Sequence, residues 1–323
     1  MNATPSITVI RDTYARMLFT RLVDDYAWQL HTQGYIDFVA SCRGHEAAQI
    51  GSAICIEVGK DFTLPYYRDL GVVLTIGMTP YEVFRTYLQT HPAATTQQHI
   101  PMSEKPRAFL HWGYHKHNTI TDYAPIATQI LHAAGIAFSS KLRKAQVVTV
   151  AYCSDGATTE PDFLEGIRFA AEQTLPIVFV CERNCAQTTL DSSRHVSSVK
   201  QPHLTKQYAD GSDVLAVYQA MSSAMHRART GQGPTFLDIA VTRLRPPRCH
   251  TTHSDLFSLE AVEQQDPLYR CRQLLQELHL WNDDWADQLY TRYSMEIERA
   301  LHDALHDTQQ QCMGVDARYK ALP

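Results

Sequence analysis

Two polar residues follow apolar runs that read as buried strands: Asp155 after Val147–Tyr152, and Asn184 after Pro176–Cys181. In an open parallel sheet, ligands gather at the carboxyl ends of strands, so both side chains can reach one ion. Asp and Asn oxygens suit Mg²⁺, a hard cation that bridges a diphosphate and takes few protein ligands. The plainer alternative for Asp155-Gly156 is a strand-to-helix turn in which Asp155 caps the helix. Arg68, in LPYYRDLG (64–71), offers a guanidinium that can grip phosphate through two parallel hydrogen bonds; a surface Arg beside a core Tyr is the bland reading. In RPPRCHTTHSDLF (245–257), His250 can stabilise an anion or move a proton, or be a solvated loop residue. Cys249, His250 and His253 also make three possible zinc ligands, without a strong fourth nearby.

The elements that must position these groups alternate along the chain. Tyr14, Leu18, Leu22 and Tyr26 recur at helical spacing within residues 12–33, and Gly34 stops that helix. Further helices are predicted over 44–58 and from Thr79, where Pro80 suits the first position. Residues 91–123 carry no clear period. From there the pattern predicts a helix of small residues from Ala127 to Ser140, the two strands named above and a helix over 161–173 opened by Pro161. Next come a helix from Asp213 to Thr230 with Gly231 as its stop, a strand over Phe236–Thr242, and helices near 259–279 and 284–307. Strands separated by helices predict an α/β fold: a mostly parallel, doubly wound sheet with flanking helices. With no repeat or linker, residues 1–323 read as a single domain with helical N- and C-terminal extensions.

Bulk properties exclude several classes. A net charge of −5 gives no basic surface for nucleic acid. No apolar run is long enough to span a membrane, and the start lacks the apolar core of a signal peptide and the Arg-rich, acid-free make-up of a presequence. The eight cysteines show no CxxC spacing, which suits a reducing compartment. The protein reads as cytoplasmic.

The stretch SDGATTEPDFLEGIRFAAEQTLPIVFVCERN (154–184) resembles the thiamine-diphosphate motif, which begins Gly-Asp-Gly and ends near Asn-Asn. RGHEAAQIG (43–51), LPYYRDLG (64–71), APIATQILHAAG (124–135), DGSDVLAVYQA (210–220), RTGQGPTFLDIAVTRL (229–244) and QQDPLYR (264–270) follow in the order expected of alpha subunits of 2-oxo-acid dehydrogenases. The resemblance covers about residues 12 to 280 and is closer to branched-chain than to pyruvate alpha subunits. It implies a thiamine-diphosphate-binding fold with thiamine diphosphate and Mg²⁺ as cofactors. Asp155, Asn184 and the carbonyl of Ala186 would hold the metal. Tyr67, Arg68, Ser154, Asp155, Gly156, Ala157, Asn184, Ala186 and His250 would hold the diphosphate end, with Ala124 at the aminopyrimidine. Ile126 would be the apolar wedge that bends the cofactor, a position that plain core packing would fill equally well. Phe38, Tyr66 and His111 would line the 2-oxo-acid pocket, and His250 would be the catalytic loop residue. The implied partners are a beta subunit, which supplies the Glu that activates the aminopyrimidine in an alpha2–beta2 heterotetramer, and a lipoyl-bearing acyltransferase core.

The sequence departs from that pattern at informative places. Ser154 stands where the motif has its first Gly, Pro161 replaces a Gly, and Arg183-Asn184-Cys185-Ala186 replaces Asn-Asn-Gly-Tyr. The stretch between Thr188 and Asp210 is shorter, and that between Arg243 and His250 longer, than in the chains it resembles. The readings left open are a branched-chain, pyruvate or acetoin dehydrogenase alpha subunit, or a non-catalytic homologue serving as a scaffold or regulatory subunit. If His250 acts as an acid–base group, His250→Ala should cut acyl transfer to a lipoyl acceptor by about 10²–10⁴-fold, more than it cuts cofactor affinity. Single-turnover acylation beside a cofactor titration checks this, and unchanged turnover removes His250 from the mechanism.

Overall fold

The computed structural model describes residues 7–36, 38–89, 112, 117–120, 126–185, 203–245 and 264–319. Its centre is a sheet of β1 (Phe62–Leu64), β2 (Thr149–Ser154), β3 (Ile177–Asn184), β4 (Thr205–Asp210) and β5 (Thr235–Val241), in the order β1-β2-β3-β5-β4. Every pairing is parallel; Cys153 stands opposite Cys181, Ser154 opposite Glu182, and Asn184 opposite Val241. The helices are α1 (Ile7–Thr32), α2 (Glu46–Ala53), α3 (Leu70–Thr75), α4 (Pro80–Gln89), α5 (Thr128–Leu142), α6 (Pro161–Glu172), α7 (Val214–Arg229), α8 (Pro267–Glu277) and α9 (Asp283–Tyr319).

Both faces of the sheet are covered, which is why its central strands are apolar runs rather than alternating ones. On one face Val150, Tyr152, Val178, Val180, Leu237 and Ile239 pack with α2, α3 and α7. On the other, Ala151, Cys153, Phe179, Cys181 and Phe236 pack with α5 and α6. The small residues of α5 permit close approach: a Cβ on Gly166 of α6 would lie 2.8 Å from Cγ2 of Ile130. A further apolar cluster joins α1, α4, α8 and α9.

Caps and anchors fix the helix ends. Asp213 accepts from the N–H groups of Leu215 and Ala216 at 2.9 and 3.1 Å, and Pro161 and Pro267 each occupy the opening turn of their helices. Arg21 of α1 bonds Glu46 of α2 and grips both oxygens of Asp266 at 3.0 and 3.1 Å. One turn along α1, Asp24 and Asp25 receive the guanidinium of Arg245 at 3.0 and 2.5 Å, and that guanidinium lies 4.8 Å above the Trp28 ring.

The predicted α/β sheet is present, with differences of physical origin. Strand β2 runs to Ser154 because Cys153 and Ser154 continue its ladder with β3. The 44–58 helix stops at Ala53. Three elements carry no sequence signal: β1 and α3 are very short, and β4 is an edge strand of half-exposed polar residues. Among the described residues, no helix is long and apolar enough to cross a membrane.

Burial alone would raise the Asp266 carboxyl, but the hydrogen bonds and charge of Arg21 hold it below its ordinary 3.8. A depressed folded value stabilises the fold above pH 3.8, and that stability is lost as pH falls through the folded value. Asp266→Asn should therefore lower the melting temperature at neutral pH and weaken its dependence on pH below about 4. Melting curves across pH 2.5–7 check this; parallel curves for the two proteins would contradict it.

Candidate functional site

The carboxyl edge of the sheet carries Ser154, Asp155 and Asn184 at adjacent strand ends. Ser154 ends β2 in ordinary extended backbone, φ −98° and ψ 170°, so replacing the motif's Gly there costs no strain. The chain then enters a 3₁₀ turn, Asp155–Thr159, in which the Thr158 hydroxyl donates to the Asp155 carbonyl at 2.7 Å. Asp155-Gly156 opens the strand-to-helix turn of the plainer reading, but Asp155 does not cap α6, whose cap position is Glu160. Burial pushes the half-buried Asp155 carboxyl up; the charges of Arg243 and Arg183 and two backbone N–H groups oppose this only partly. Gly156 is exposed, and a Cβ there would meet only the Ser154 hydroxyl at 3.9 Å, which leaves open space beside the turn. Ala157 is buried beneath it. On the neighbouring strand, Asn184 is the last residue of β3 and is buried. Asp155 and Asn184 thus close adjacent strand ends.

A cationic group on the β1–α3 connection is coupled to this edge through Glu182, two residues before Asn184, and through Arg243, whose charge acts on Asp155. Arg68 is buried, donates to the Ser41 carbonyl at 2.7 Å, and lies 5.4 Å from the centre of the Tyr67 ring. Its Nε is buried without a hydrogen-bond partner. Trp112 donates to the Tyr67 carbonyl at 3.1 Å, and Tyr66 packs edge-on against Tyr67 with 5.2 Å between ring centres. The Tyr66 hydroxyl donates to Glu182 at 3.0 Å. Phe38 is half-buried against the same apolar cluster as Tyr67. Just past β5, Arg243 has its guanidinium pushed down by burial first and by the charge of Arg68 second. Two guanidiniums that repel each other beside a half-buried carboxylate form a place that an anion stabilises.

Arg243, Glu182, His45 and Gln49 belong to this region although no sequence signal singled them out. His45 and Gln49 lie four residues apart at the start of α2, a helical spacing visible in RGHEAAQIG. Glu182 precedes Asn184 by two positions and so shares its face of β3. Ala124, Ala186, His250 and His111 lie outside the described residues, as do Cys249 and His253. Ile126 is 60% exposed, so core packing is not its role. Among the described residues, no three His, Cys, Asp or Glu side chains gather as a metal site. The donor set at the strand ends is instead one carboxylate and one amide, with a buried guanidinium nearby, and it fits a hard cation carrying a diphosphate.

Residues 14–313 match the family model described as "Dehydrogenase E1 component". The chain is 34% identical to the 2-oxoisovalerate dehydrogenase subunit alpha of Bacillus subtilis over 302 residues, 91% of this chain and 89% of the relative. It is also 34% identical to the 3-methyl-2-oxobutanoate dehydrogenase subunit alpha of Mycobacterium tuberculosis, over 92% of this chain and 78% of the relative. Identity to the pyruvate dehydrogenase E1 component subunit alpha of Staphylococcus aureus is 29%, over 95% and 81%.

Exposure of Ile126 generates a direct test. Ile126→Ala should change folding stability by no more than about 0.5 kcal/mol, as at other exposed positions, whereas loss of a buried isoleucine would cost about 2–5 kcal/mol. Denaturant unfolding of the purified chain distinguishes the two.

Proposed function

The chain belongs to the dehydrogenase E1 component family, and from that premise we propose that it is the alpha subunit of a branched-chain 2-oxo-acid dehydrogenase. The family implies dependence on thiamine diphosphate and a beta-subunit partner. The reaction is oxidative decarboxylation of a 2-oxo acid, with the acyl group passed to a lipoyl arm. Higher identity to the two branched-chain relatives than to the pyruvate relative supports the substrate class.

Asp155 and Asn184 at adjacent strand ends, with the incompletely bonded Arg68 coupled to Glu182 and Arg243 beside them, support this reading most directly. When bound, thiamine diphosphate supplies the carbon nucleophile and electron sink for decarboxylation. The chain supplies position and charge. Asp155 and Asn184, with the carbonyl of Ala186, would hold Mg²⁺. Arg68 and Tyr67 would bind diphosphate oxygens beside the Ser154–Ala157 turn, with His250 on the catalytic loop. Ala124 and Ile126 would contact the aminopyrimidine side, and Phe38, Tyr66 and His111 the substrate. Burial around Arg68 strengthens a guanidinium–phosphate contact by excluding water.

The assembly is an alpha2–beta2 heterotetramer working with a lipoyl-bearing acyltransferase core in the cytoplasm, residues 1–323 forming one domain. Leu131 and Leu142 of α5 and Phe169 of α6 are exposed large apolar side chains on the outer face of the sheet's helical layer. That face suits a subunit contact.

Calorimetry on the co-expressed alpha–beta complex should show thiamine diphosphate binding that a chelator abolishes. Asp155→Ala and Asn184→Ala should each weaken that binding by at least about tenfold, the equivalent of one lost charge-assisted contact, and keep the far-UV circular dichroism of the parent. No binding heat from a folded wild-type complex would overturn the proposal.

A further inference from the structure

Beside the proposed cofactor site lies a buried polar cluster that neither metal nor diphosphate binding employs. Glu182 of β3 is fully buried in its side chain. Its Oε2 accepts from His45 Nδ1 at 2.5 Å, from the Tyr66 hydroxyl at 3.0 Å and from Gln49 Nε2 at 3.2 Å. Its Oε1 is buried with no hydrogen-bond partner, as is Nε2 of His45. Three donors crowd one oxygen while the other has none. As packing this is poor, because a buried carboxylate costs more than an apolar side chain of the same shape unless it is fully paired.

The arrangement makes sense as a device for fixing position. His45 stands at the cap position of α2, Gln49 lies one turn into that helix, and Tyr66 belongs to the β1–α3 connection. Gln49 also donates to the Arg68 carbonyl at 3.1 Å and accepts from Gly71 at 2.9 Å, while Tyr66 N–H donates to Asp69 at 2.8 Å. The segment that carries Tyr66, Tyr67 and Arg68 is therefore tied to Glu182 through both backbone and side chains. Burial, and then the charges of Arg68 and Arg243, push the His45 ring down against the pull of Glu182. A neutral ring that donates through Nδ1 holds the carboxylate without adding a further cation.

We propose that Glu182 and His45 are positioning residues for the 2-oxo acid: Glu182 fixes the Tyr66 hydroxyl, and His45 fixes Glu182. This rests on the E1 reading above. The test is a double-mutant cycle of Tyr66→Phe and Glu182→Gln on the assembled alpha–beta complex, with His45→Ala and His45→Asn alongside. Asn retains a donor near the position of Nδ1. Tyr66→Phe and Glu182→Gln should each raise KM for the 2-oxo acid by about tenfold, the loss of one charge-assisted hydrogen bond. Both should lower kcat less than they raise KM. The rise in KM should exceed any rise in the calorimetric Kd for thiamine diphosphate with Mg²⁺, because Tyr66 and Glu182 reach the proposed diphosphate site only through their charge on Arg68. On the Tyr66→Phe background, Glu182→Gln should add less than about twofold. His45→Ala should repeat the Glu182→Gln effect and His45→Asn should largely restore KM.

Additive effects, or a loss confined to melting temperature and cofactor affinity, would overturn the positioning role and leave the E1 reading intact. A folded wild-type complex that neither binds the cofactor nor consumes any 2-oxo acid would remove both. If Glu182→Gln does not assemble, the His45→Ala and Tyr66→Phe cycle reads the same coupling with the same two outcomes.

Discussion

A parallel sheet buried on both faces has nowhere to carry polar chemistry except its ends. In β2 and β3 the residues from Val150 to Cys181 that face α2, α3 and α7, or α5 and α6, are apolar and inaccessible. Any carboxylate or amide meant for a ligand must therefore come after the last paired apolar residue. Glu182, Asn184 and Asp155 obey this rule. The exception proves costly: Asp238 lies inside β5, and Arg183 reaches it at 3.0 Å from the adjacent strand. Because the ladder fixes register, the strand ends stand side by side without any help from the loops that follow them.

Charge at that edge is balanced by neighbours rather than by solvent. Arg68 and Arg243 push against each other, while Glu182, Tyr66 and Tyr67 favour the Arg68 cation. The lone carboxylate at the turn, Asp155, is raised by burial although two guanidiniums pull it down. Arg243, pushed down by burial and by Arg68, is the group at this edge that a bound diphosphate would favour.

The sequence spoke clearly where period or punctuation was strong. Pro80, Pro161 and Asp213 mark helix starts that the fold keeps, and the apolar runs before Asp155 and Asn184 are strands. The small residues from Ala127 to Ser140 suggested a tightly packed helix, and α5 (Thr128–Leu142) is that helix. Strand β4 stayed hidden because its residues are polar and half-exposed at the edge of the described sheet, so burial imposes no pattern on it. Glu182 and His45 stayed hidden for another reason: a buried acid on a strand and a histidine before a helix look ordinary until a third dimension brings them within 2.5 Å. Arg243 is similar, since only the fold sets it against Arg68. The edge pair Asp155 and Asn184 was legible because one strand–helix–strand unit holds both.

The two arginine anchors on α1 have an effect on chain statistics. Arg245 is held by Asp24 and Asp25, and Asp266 by Arg21, so both ends of the intervening segment are fastened to one turn of one helix. The closure of that segment is therefore set by side-chain contacts at its base rather than by its own length. Doubling the length of a flexible closed loop costs only about 0.6 kcal/mol. A change of length between Arg245 and Asp266 is accordingly expected to cost the sheet little, because the strand ends are held in place by their own ladder.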